Sequence, residues 1–129
     1  MNKILVEVSV GELLDKISIL EIKQEKIKDA ESLKFIIDEY NVLKSELDKN
    51  IKTDENLKNL FNSLKEINSK LWVIEDDKRM CEKNKDFGEK FIKLSRDVHF
   101  LNDNRAKIKL EINNHTGSKI KEIKEYTSY

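Results

Sequence analysis

The sequence contains no proline and only three glycines, Gly11, Gly88 and Gly117, among its 129 residues. Proline ends helices because it lacks the amide proton and clashes with the preceding turn. Long helices are therefore permitted almost anywhere, with the glycines as the only strong punctuation. Cysteine is as scarce. Cys81 stands alone, which excludes an internal disulfide and leaves no Cys/His pairing of the kind that binds zinc. No run approaches the ~18 apolar residues needed to cross a bilayer. The apolar stretch in Met1–Val10 is too short for a secretion signal and offers no small-residue cleavage site, so the cytoplasm is the expected compartment. A surplus of either charge is missing too, since 25 basic residues balance 25 acidic ones. Proteins that hold nucleic acid or anionic lipid draw affinity from a basic excess, so neither partner is expected. Zero net charge also weakens repulsion between copies, which favours self-association.

What is present is a charged share of 39% beside a hydrophobic share of 38%. That balance suits amphipathic helices, each with one buried stripe, and one domain of about this length. The abundance of Lys, Asn and Ile fits an AT-rich bacterial or phage genome. Ile4-Leu5-Val6-Glu7-Val8 is short and β-branched and reads as a strand. Ser9-Val10-Gly11-Glu12 then spells a capping box and starts a first helix, predicted over Val10–Lys28. Leu33, Ile36, Ile37, Tyr40, Leu43, Leu47 and Ile51 recur at helical spacing and predict a second over Glu31–Asn50. Thr53-Asp54 caps a third that runs to Asn84. Asp86 caps a fourth from Phe87 to Thr116, which Gly117 stops. The tail after Gly117 is open between a further helical turn and an extended segment that pairs with the first strand. The predicted fold is all-α, an antiparallel bundle of four helices with a short N-terminal strand.

The stripes of these helices are not purely apolar. Glu21 and Gln24 fall within the first helix's stripe of Val10, Leu13, Ile17, Leu20 and Ile27. The third helix places Asn68, Glu75, Arg79 and Glu82 on the face that buries Leu57, Leu60, Leu64, Ile67, Leu71 and Ile74. Arg105 lies among Leu101, Ile108 and Ile112 on the fourth, flanked by Asn102 and Lys109. An unpaired buried charge costs several kcal/mol, so these groups must meet one another or a ligand. One reading is a structural network in which Glu21 and Glu75 neutralise Arg79 and Arg105. The other is a polar pocket in which Glu21, Asn68, Glu75, Arg79, Asn102 and Arg105 hold a small anionic metabolite, nucleotide-like or a sugar phosphate, with the arginines as forks.

Other features point more weakly. Glu12 with Asp15, and Glu75-Asp76-Asp77, offer carboxylates for magnesium, but the first is explained by the cap and Asp76 leaves the stripe. No metal or other cofactor is expected. His99 and His115 lack ligand spacing, and no nucleophile or glycine-rich phosphate loop can be read. Val73 and Phe100 sit on polar faces, and with Ile19 and Ile22 behind the first helix they predict a homo-oligomer.

The blocks Ser9–Lys23, Leu71-Trp72 with Ile74-Glu75-Asp76 and Arg79, Asp86–Phe91, and Asn102-Asp103 with Arg105-Ala106 resemble an uncharacterised bacterial family of unknown function, DUF6165. The resemblance implies a compact helical protein with no established activity. A looser likeness to helical nucleotide pyrophosphatases lacks their paired Glu-Glu metal motif. The expectation is a non-catalytic binding protein. A magnesium-dependent nucleotide hydrolase and a structural adaptor are its alternatives.

Overall fold

The computed structural model describes residues 2–129. Its helices are α1 (Val10–Lys26), α2 (Ala30–Asn50), α3 (Glu55–Lys83) and α4 (Glu89–Thr116). They hold 74% of the residues, and no strand is present among the described residues.

Three of the four helix starts are written locally. Ser9 Oγ accepts the Glu12 amide at 3.0 Å. Asp29 accepts that of Ser32 at 2.9 Å, and Asp54 accepts that of Leu57 at 2.8 Å. Each bond satisfies a first-turn amide that has no carbonyl one turn back. The first capping box is half formed, because Glu12 gives its carboxylate to Lys109 on α4 instead of its own cap. Gly117 closes α4 at φ 68°, in the left-handed region that glycine tolerates best. The start of α4 differs from expectation. Lys85 takes φ 53°, and the Asp86 carboxylate accepts the Gly88 amide at 3.2 Å. Asp86 thus shapes the turn rather than capping the helix. The helix begins at Glu89, which leaves Phe87 outside it and exposed.

Helix α1 is the innermost element and packs against the other three, α3 and α4 pack on each other, and the backbone of α2 approaches α1 alone. Leu14 and Ile17 of α1 meet Leu47 of α2, Leu57 and Leu64 of α3, and Ile112 of α4 in one core. With neighbours around it, α1 buries more than one stripe: Leu20 and Ile22 are covered, and so are Asp15 and Ser18. Ile22 is therefore core, not the outward face expected of it.

The predicted N-terminal strand is absent. Ile4 and Leu5 are 87% and 91% exposed. A lone strand cannot satisfy its backbone, and its expected partner lies elsewhere. The segment after Gly117 forms neither a helix nor a strand but runs along α4. Glu122 accepts from Lys109 at 3.0 Å. The Tyr129 hydroxyl donates to the Asp103 carboxylate, and its ring packs edge-on against Phe100.

Candidate functional site

Gly11, Asp15, Ser18 and Ile22 are spaced four, three and four residues apart, so they share one face of α1. This face meets α3 and α4. Gly11 lets α4 come close: a methyl group there would stand 2.5 Å from the Lys109 carbonyl oxygen. The Gly11 amide donates to Asn113 Oδ1 at 2.7 Å, and the Val10 amide donates to Ser118 Oγ at 3.2 Å. The first turn of α1 is thus capped by α4 and by the residue just after its glycine stop, as well as by Ser9.

One turn further, Asp15 sits at the centre of a buried cluster. Its carboxylate accepts from Asn68 Nδ2 at 2.9 Å, from Arg105 Nε at 3.0 Å and from Arg105 Nη2 at 2.5 Å. Asn68 also donates to Ser18 Oγ at 2.8 Å, and the Ser18 hydroxyl donates to the Asp15 backbone carbonyl at 2.7 Å. Burial pushes the Asp15 carboxyl up, but the bonds from Arg105 and Asn68 and the charges of Arg105 and Lys109 outweigh it and hold it below its ordinary value. The bond to Asp15 raises the Arg105 guanidinium. Lys109 lies 3.9 Å from Asp15. Burial works against its charge, but Glu12 and Glu122 prevail and raise it. Helices α1, α3 and α4 are thereby pinned at one level by charge-assisted bonds.

Beside this cluster opens a groove of about 430 Å³ lined by Ile19, Ile22, Leu71, Trp72, Glu75, Asp76, Arg79 and Arg105, with Asn68 at its floor. Asp15 occupies one edge of the Arg105 guanidinium, Nε with Nη2. Asn102 Oδ1 accepts weakly from Nη1 at 3.5 Å. A guanidinium has five N–H groups, and these bonds use three, so one N–H on Nη1 and one on Nη2 have no partner among the described residues. The Arg105 side chain is 29% exposed. The cluster therefore holds a two-pronged donor in place at the wall of a groove.

Of the residues expected at the site, Asn68, Glu75, Arg79, Asn102 and Arg105 gather on or beside this groove. Glu21 does not. Its carboxylate accepts from Lys65 at 3.1 Å and from the Tyr40 hydroxyl at 3.4 Å, on the side of α1 that faces α2. The expected neutralisation of the arginines by Glu21 and Glu75 is corrected as well: the counter-ion of Arg105 is Asp15, while Glu75 and Arg79 are exposed. Asp15 is not among the expected site residues because it lies off the stripe of Val10, Leu13, Ile17, Leu20 and Ile27. The signal was the pair of small residues, Gly11 and Ser18, with Asp15 between them on the face beside the Leu14–Ile17 stripe. Among the described residues no three His, Cys, Asp or Glu side chains converge as metal ligands. The Glu12 and Asp15 carboxylates, considered above for magnesium, are engaged by Lys109 and Arg105.

Fold and site together define a small all-helical protein whose central helix carries a buried carboxylate clamped from two neighbours. The chain belongs to DUF6165, a family of unknown function, which it matches over residues 4–129. No curated protein matches it, and no solved structure does.

Proposed function

We propose that the protein is a non-catalytic binder of a small molecule with an anionic group, nucleotide-like or a sugar phosphate in class. The observation that carries this reading is the pair of N–H groups left free on Arg105 Nη1 and Nη2, on a side chain that Asp15 fixes at the wall of the groove. Such donors suit the oxygens of a phosphate or carboxylate, and little side-chain freedom remains to be lost on binding. Arg79 adds a second cation, and Trp72 with Leu71, Ile19 and Ile22 offers an apolar wall for a ring. Thermal melts with adenosine monophosphate, glucose 6-phosphate or inorganic phosphate test it. A ligand at about one hundred times its Kd stabilises by about 2.7 kcal/mol, a rise of several degrees. Arg79→Ala, at an exposed position, should shrink that rise and leave the unliganded melt unchanged. Flat melts with all three compounds would overturn the proposal.

A second reading, association with another copy, has its own support. The face of α3 and α4 turned away from α1 bears an apolar groove of about 660 Å³ with Val73, Ile74, Phe100 and Leu101 in it and Glu66, Lys70 and Asp97 on its rim. Val73 is 49% exposed and Phe100 41%. A rim with both charge signs suits the self-complementary contact of a two-fold dimer. Sedimentation at micromolar concentration should show a dimer that Val73→Glu with Phe100→Glu dissolves. A monomer for the unaltered chain refutes this second reading.

A further inference from the structure

The groove carries more negative than positive charge once its internal pairing is counted. Arg105 is offset by Asp15 behind it. Glu75, Asp76 and Arg79 remain on the lining, and none of the three is ion-paired with another described residue. Two carboxylates thus face one unpaired guanidinium. A bare anion seated on the Arg105 edge would also feel those two carboxylates. A ligand whose anion is accompanied by a cationic nitrogen would satisfy both ends.

The order of residues along α3 gives the spacing. Asn68 stands at the level of Arg105 because both bind Asp15. Trp72 follows four residues later, Glu75 and Asp76 three and four after that. At 1.5 Å per residue, the carboxylates stem from backbone roughly 10 Å beyond the anion fork. Helical side chains lean toward the N-terminus, Asn68 as much as Glu75 and Asp76, so the separation stays at roughly 10 Å, about the length of one ring with a polar group at each end, with Trp72 between. We infer that the groove selects an amphoteric small molecule: an anionic group on the Arg105 edge, a flat body over Trp72, and an ammonium group at Glu75 and Asp76. This inference rests on the ligand-binding reading above and narrows it.

A matched pair of rigid probes tests it on the full chain by calorimetry: 4-(aminomethyl)benzoate and 4-(hydroxymethyl)benzoate. They share the carboxylate and the ring and differ only in ammonium against hydroxyl at the far end. The amine should bind about tenfold more tightly. Glu75→Gln combined with Asp76→Asn, at two exposed positions, should erase that preference while the hydroxyl probe binds at least as well as before. Raised salt should weaken the amine's advantage. Equal affinity for both probes, or an advantage that survives the double substitution, overturns the inference and leaves the ligand-binding reading standing. If neither probe binds and no phosphate compound shifts the melt, both fall.

Discussion

Gly11 bears the closest approach in the molecule between α1 and α4, and it is glycine for steric rather than conformational reasons. A glycine inside a helix costs about 1 kcal/mol relative to alanine. Gly11→Ala should nonetheless destabilise. The added methyl would meet the Lys109 carbonyl at 2.5 Å and Asn113 Oδ1 at 3.0 Å. The first of these is backbone and cannot yield without moving α4. Overpacking of this kind costs about 1–3 kcal/mol, so the denaturation midpoint of Gly11→Ala should fall despite the gain in helix propensity. A midpoint that rises would show that α4 can give way. The sequence displays Gly11 only as an interruption near a helix start. Its role depends on a residue 98 positions later, and no local pattern reports that.

At the scale of the helices, Asp15 and Arg105 set the level at which α1 meets α4. Arg105→Leu leaves a buried carboxylate without its counter-charge and should cost about 3–5 kcal/mol. Adding Asp15→Leu should recover much of that loss, whereas adding Glu75→Leu should not, because Glu75 is exposed and not ion-paired to Arg105. Urea titrations of the two double mutants distinguish the partners directly, and rescue by Glu75→Leu would show that Asp15 is not the counter-ion that matters. The pH dependence follows from the same pair. Asp15 is held below its ordinary value, so its contribution is complete above about pH 4, its unfolded value, and is lost as pH falls through the lower folded value. Acid sensitivity should therefore shrink in Asp15→Leu/Arg105→Leu. It should not vanish, since Asp29 is lowered too, chiefly by the bond from the Ser32 hydroxyl, and Asp54 chiefly by that from the Leu57 amide. Lys109 acts at the opposite extreme. Its raised value means a contribution present below about pH 10.4 and lost above it. Much of this element scale was legible in the sequence. Helical spacing placed Asn68 inside, where it is buried, and Arg105 on the same side, where it is half-buried, and two caps, Ser9 and Asp54, fixed two helix starts. The pairing was not legible. A hydrophobic pattern says which face of a helix is buried only when one face is buried, and α1 is enclosed by three neighbours.

For the whole molecule, the governing fact is unequal enclosure. Helices α3 and α4 run 29 and 28 residues against 17 in α1, or roughly 43 Å against 25 Å. Their far ends extend past α1 and have only each other for cover, so Cys81 is buried there while Met80, Phe87 and Ile92 remain exposed. The strand expected at the N-terminus failed on the same ground, since its β-branched pattern promised a sheet that no other segment completes. At the other flank, α2 buries only Ile36 and Leu47, and its backbone approaches α1 alone. Hydrogen–deuterium exchange should find α2 amides exchanging well before those of α1 and of α3 around Leu64. A single common rate across all four helices would contradict that. The expected consequence is two stabilities rather than one, with a partly open state in which α2 has lifted away while the Asp15 clamp still holds the other three helices in register. Mutations in α2 should raise the population of that state without changing the global unfolding of the remaining core. Within the helices, a protease acting on the native protein should make its first cuts between Ala30 and Asn50, after any at the exposed ends of the chain.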